Sequence, residues 1–79
     1  STANKVGVMV HSVYGQPPSW MRMIPARRWF DNEDGEREFT NTSRWEIAFD
    51  EEPKELLILK GPAKTVIEML PSLRGVQIG

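Results

Sequence analysis

The sequence predicts an α+β domain, a small, mostly antiparallel sheet of four to five strands with one short helix in its C-terminal half. Three observations point there. Short runs of alternating or continuous apolar residues recur along the chain. Turn residues punctuate them: Gly15-Gln16-Pro17-Pro18, Asp34-Gly35, Asp50-Glu51-Glu52-Pro53 and Gly61-Pro62. The stretch from Pro62 to Leu70 reads as the one helix, because its apolar residues stand at helical spacing. A small open β-barrel is the alternative, because five short strands in 79 residues have enough length to close.

The first expected strand covers residues 5–14. It is rich in valine, and both alternating faces are largely apolar, as in a well-buried strand. Pro17 and Pro18 end it by removing two backbone donors. Residues 20–30 resume an extended pattern, interrupted by Pro25, which marks an edge strand or a kink. Asp34-Gly35 then predicts a hairpin turn, because glycine accepts positive φ. A turn centred there sets Phe30 opposite Phe39. A four-residue loop over 32–35 would instead pair Phe30 with Arg37 and Trp29 with Glu38.

The return strand covers residues 37–49 and bends around Asn41-Thr42-Ser43. In its second half Trp45, Ile47 and Phe49 share one face and Arg44, Glu46 and Ala48 the other, the pattern of a half-buried strand. Residues 55–60 hold four consecutive aliphatic side chains and read as a central strand buried on both sides. Pro62 opens the helix at a position where its missing N–H costs nothing. Ala63, Val66, Ile67 and Leu70 form its apolar stripe, and Pro71 stops it. Residues 74–79 read as a last short strand.

Length makes residues 1–79 a single domain with a thin core. The chain has no cysteine, so neither a disulfide nor a thiolate contributes. Apolar packing, or a partner that completes the core, must hold the fold. No apolar run approaches the ~18 residues that span a bilayer, so no membrane association is expected. No charged-then-apolar leader is read in the opening residues. Freedom from cysteine fits a reducing compartment, and the expected location is the cytoplasm.

Charge is unevenly spread. All eleven carboxylates follow residue 30, whereas the first thirty residues carry Lys5, Arg22, Arg27 and Arg28. The hairpin pairing sets Arg27 and Arg28 beside the strand that carries Glu36, Glu38 and Glu46 and predicts that much of this split cancels across strands, leaving Trp20 and Arg22 far from the Asp34-Gly35 turn and its carboxylates.

Each tryptophan has an arginine within two residues: Trp20 with Arg22, Trp29 with Arg28, and Trp45 with Arg44. Trp and Arg are enriched at protein-interface hot spots, and methionine makes contact surfaces adaptable. The leading expectation is therefore a small non-catalytic module that binds a protein partner, or a second copy of itself. Its surface would be built from Trp20, Met21, Arg22, Met23 and Trp29. The bland alternative is that these rings are core or sheet-face aromatics with arginine stems across them. Single-stranded nucleic acid is the second reading, through Arg22, Arg27, Arg28 and Trp29, since bases stack on rings and arginine holds phosphate. A pI of 5.8 weighs against it. The third is an acidic surface around Asp50, Glu51 and Glu52 that mimics phosphates toward a basic partner.

Catalysis, metal and cofactors find little support. His11 is the only histidine, and on a strand its neighbour Ser12 would point to the opposite face. The acidic stretch 31–38 lacks calcium-loop spacing: a loop glycine at Gly35 would make Phe30 the first ligand. No glycine-rich phosphate loop is present. No enzyme, metal or cofactor is expected.

Overall fold

The computed structural model describes residues 1–76. The chain runs α1 (Thr2–Tyr14), β1 (Trp20–Ile24), β2 (Arg28–Asp31), β3 (Arg37–Thr40), β4 (Arg44–Ala48), β5 (Leu57–Lys60) and α2 (Ala63–Met69), and α2 tightens into a 3₁₀ turn at Leu70–Leu73. Among the described residues, two helices and five antiparallel strands in two small sheets make an α+β fold, and no barrel closes.

The largest correction is at the N-terminus, where residues 5–14 are helical rather than extended. The valines that suggested a strand include Val6, Val10 and Val13, spaced four and three apart, and these three are buried on one face of α1. Ser1 caps the helix by accepting a hydrogen bond from the Asn4 N–H at 3.3 Å. Gly15, at φ 78°, closes it in the left-handed conformation that glycine adopts freely. The β-branched content favours strand only weakly, by a few tenths of a kcal/mol per residue, and burial of one stripe outweighs it.

The segments 20–30 and 37–49 do pair as one long antiparallel hairpin, and its register carries through without a slip from Trp20↔Ala48 to Asp31↔Arg37. The hairpin is divided midway. Pro25 lacks a donor, Arg27 stands at φ 59°, and the facing Asn41-Thr42-Ser43 bends away. The base of the hairpin, β1 and β4, joins β5 in a sheet of order β1-β4-β5. The tip, β2 and β3, forms a separate two-stranded sheet.

The turn is neither of the two expected. Trp29 faces Phe39 and Phe30 faces Glu38. Gly35 does take positive φ, 79°, but a residue later in the turn than expected. Asn32 organises the loop: its N–H donates to the Glu36 carbonyl at 2.8 Å, and its side-chain Oδ1 accepts from the N–H groups of Asp34 and Glu36.

β4 is the central strand, and residues 55–60 supply an edge strand instead. Trp45 and Ile47 point to the helices and meet Val6, Val10, Val13, Leu59, Val66 and Leu70 in the core. Each fully buried aliphatic side chain there contributes about 1.5–3 kcal/mol. The opposite face of β4 is covered as well: Glu46 and Ala48 are completely buried, so the strand is not half-exposed. Where α1 ends, Tyr14 packs on Phe49 with ring centroids 5.2 Å apart, and burial raises its phenol above the ordinary 10.0.

Arg74 and Gly75 form a turn rather than the start of a strand, Val76 is not in a strand either, and the remainder of that expected strand, 77–79, lies outside the described residues. No helix among the described residues is long and apolar enough to cross a membrane.

Candidate functional site

The two faces of the β2–β3 tip have different environments. Strand alternation puts Phe30 and Glu38 on the inner face, toward the three-stranded sheet, and Trp29, Asp31, Arg37 and Phe39 on the outer face.

The inner face is fixed by charge. Arg44 reaches up from β4, its guanidinium 5.2 Å from the centre of the Phe30 ring and its Nη1 3.3 Å from Glu38 Oε1. Asn32 Nδ2 donates to the other Glu38 oxygen at 3.0 Å. Below them Glu46 is fully buried between two arginines. Arg22 donates to its Oε1 from Nε at 2.8 Å and from Nη2. Arg44 Nε lies 3.2 Å from Oε2 but off the N–H axis, so that contact is ionic rather than hydrogen-bonded. A lone buried carboxylate would be expensive, and two flanking guanidinium groups offset that cost. Here the tip leans on the sheet largely through polar groups.

The outer face has no such cover. Trp29 is 61% exposed and Phe39 49%. They sit directly across from one another, edge to face, with ring centroids 5.2 Å apart. The Arg37 guanidinium stands over Trp29, 5.8 Å from the ring centre. Cross-strand pairing explains why the rings touch each other. No part of the hydrophobic core lies against them.

The residues expected to form one contact surface are divided by this architecture. Met21 and Met23 pair with Ile47 and Trp45 and share the helix side of the sheet with them; Met23 remains exposed and Met21 packs against the core. Trp20 and Arg22 point to the other side. There they share a groove with Asn32 and Glu33 of the hairpin loop and Leu56. Contrary to the expectation that they lie far from the Asp34-Gly35 turn and its carboxylates, the groove sets them beside Glu33 of that turn. Arg22 is held by Glu46, the Trp20 N–H donates to the Glu51 carbonyl at 3.2 Å, and Ser19 Oγ donates to the Glu51 carboxylate at 2.8 Å. Trp29 alone of the five lies on the outer face of the tip.

The basic residues divide similarly. Arg27 and Arg28 are exposed and take part in none of the ion pairs among the described residues, whereas Arg22 is engaged. The ion pairs that cancel the charge split therefore run through Arg22 and Arg44, not through Arg27 and Arg28. Asp50, Glu51 and Glu52 occupy the exposed turn after β4, with Lys54 close by. His11 is exposed on α1 and not, as expected, within a strand. No group of three or more histidine and carboxylate side chains among the described residues is placed to hold a metal ion. Phe39 and Arg37 were missed as site residues. The signal that finds them is the cross-strand register, which pairs them with Trp29 and Asp31.

No protein-family model, no curated protein and no solved structure matches this chain.

Proposed function

We propose that this protein is a small non-catalytic interaction module that binds a protein partner through the outer face of its β2–β3 tip. The observation that carries the reading is the exposed Trp29–Phe39 pair capped by Arg37. Tryptophan and arginine are among the residues most enriched at hot spots, and aromatic rings bury much area for little lost rotamer freedom. Asp31 and Arg37, opposite one another beside the rings, supply a polar rim of balanced charge.

Nucleic acid is the weaker reading of the same face. Rings with a stacked guanidinium suit unpaired bases. Yet residues 27–44 carry four arginines against five carboxylates, a balance that repels a phosphate backbone rather than attracting it.

The test compares the wild-type chain with a Trp29→Ala/Phe39→Ala variant of unchanged circular dichroism. Immobilised wild-type protein should retain a partner from a cell extract of its source, and the variant should lose it. Retention of the same proteins by both would refute the reading. A parallel titration of Trp fluorescence with a single-stranded oligonucleotide at low salt should show no quenching. Quenching that disappears with salt would move the assignment to nucleic acid.

A further inference from the structure

The ion pairs through Arg22 and Arg44 leave part of the charge split uncancelled along the tip. At its bend, residues 25–28 and the facing 41–43 carry Arg27 and Arg28 and no carboxylate. At its turn, residues 31–37 carry four carboxylates and one arginine. Between these ends lies the Trp29–Phe39 row, with Asp31 and Arg37 next to it on the turn side. Arg27, Arg28, Asp31, Asp34 and Glu36 are exposed, and none joins an ion pair among the described residues. Asp31 and Arg37 face one another across the strands without closing a pair either. The tip therefore shows an apolar centre flanked by a positive end and a negative end.

A face of this kind fits its own copy. A two-fold axis laid across the strands, through the ring row, reverses the order of the ends. Trp29 then meets Trp29 and Phe39 meets Phe39 in an isologous contact. Extended residues advance about 3.4 Å each, so Arg27 and Asp31 stand about 7 Å to either side of the axis. Each Asp31 comes over Arg27 of the second copy, and each acidic turn lies toward a basic bend. An axis along the strands would instead set turn over turn and bend over bend, with like charges meeting at both ends. A uniformly acidic or basic partner would lose at one end what it gained at the other. Phe30 and Glu38 hold the inner face on the three-stranded sheet through Arg44, so the outer face points away from the body and two bodies stay apart. We propose that the Trp29–Phe39 face docks on a second copy of this chain, tip to tip and antiparallel. This rests on the reading of that face as a contact surface and names its occupant. Few residues a side take part, against the roughly 20–30 of a standard interface, so the dimer is weak and reversible.

The test is a dilution series of the full chain, followed by NMR translational diffusion and amide shifts. A dimer half-formed at roughly 0.1–1 mM is expected, with shifts on residues 27–31 and 37–40. Salt at about 1 M should weaken it, because the charges at the ends are exposed. Arg27→Glu/Arg28→Glu makes the basic end acidic, and Asp31→Lys/Glu36→Lys makes the acidic end basic. All four positions are exposed, so the fold survives the changes. Each variant alone should dimerise about ten-fold or more weakly, and an equal mixture of the two should recover the wild-type affinity. A spin label on Asp34→Cys in one copy should broaden amides 26–29 of an isotopically labelled second copy. Four results would overturn the proposal: a monomer at about 3 mM, dimerisation unchanged by the charge variants, no recovery in the mixture, or broadening confined to the turn. A chain that stays monomeric, yet loses an extract protein on Trp29→Ala/Phe39→Ala, would overturn only the choice of occupant. A dimer that persists in that variant would overturn the face itself.

Discussion

The base and the tip of the long hairpin share a register and a similar aromatic content, yet their aromatic side chains end in opposite environments. In the base, Trp45 is 4% exposed under two helices. In the tip, Trp29 is 61% exposed with only Phe39 and Arg37 against it. The difference is what lies above each face. Helices α1 and α2 cover one side of β4, and the tip itself covers the other, so the base is enclosed and the tip's outer face has no cover left. A strand's aromatic content therefore says little about burial until the layers above and below it are known. In a chain this short there are too few elements to cover every face.

Substitutions on the two halves should separate them sharply. Ile47→Ala, in the base, should cost about 3–4 kcal/mol by removing a fully buried side chain and leaving a cavity. Trp29→Ala, in the tip, should cost only about 0.5 kcal/mol, the worth of one cross-strand contact. Urea unfolding of both variants checks the contrast. Similar losses would mean that the tip is packed as tightly as the base.

The junction between the halves comes next. Glu46→Gln keeps the shape of the side chain but removes the charge shared by Arg22 and Arg44. A loss of about 2–3 kcal/mol is expected, below the full cost of a broken buried pair because Arg22 can turn to water. Hydrogen exchange should show where it falls. Amides of β2 and β3 should lose more protection than those of β4, since the tip leans on the sheet through this network. Equal loss in both halves would show that the network serves the core alone.

A smaller effect than that at the junction concerns the break in the hairpin between β1 and β2. Arg27 holds φ 59°, where a side chain is strained and glycine is not. Arg27→Gly should raise stability by about 0.5–1 kcal/mol in thermal unfolding. A loss would mean that the arginine side chain contributes contacts exceeding the backbone strain.

Much of this division could be read from the residues. The pairing of 20–30 with 37–49 followed from the Asp-Gly turn and the flanking alternation. Pro25 and the polar Asn41-Thr42-Ser43 marked the bend. The exposed position of Trp29 was among the residues singled out. The first helix was missed because valine is β-branched and runs of it satisfy a period of two as well as a three–four spacing. The central role of β4 was hidden by Glu46, a residue whose type belongs on a surface. The turn register slipped because the side chain of Asn32, not the Asp-Gly pair alone, closes the loop.

Local residue preference thus determined the α+β class, the hairpin, its break at Pro25 and the C-terminal helix, since proline, glycine and apolar spacing act over a few residues. Tertiary structure alone decided that α1 is helical, that Glu46 is buried between two arginines and that Trp29 and Phe39 face outward. Burial and ion pairing depend on which layers meet, and those layers come from segments distant in the chain.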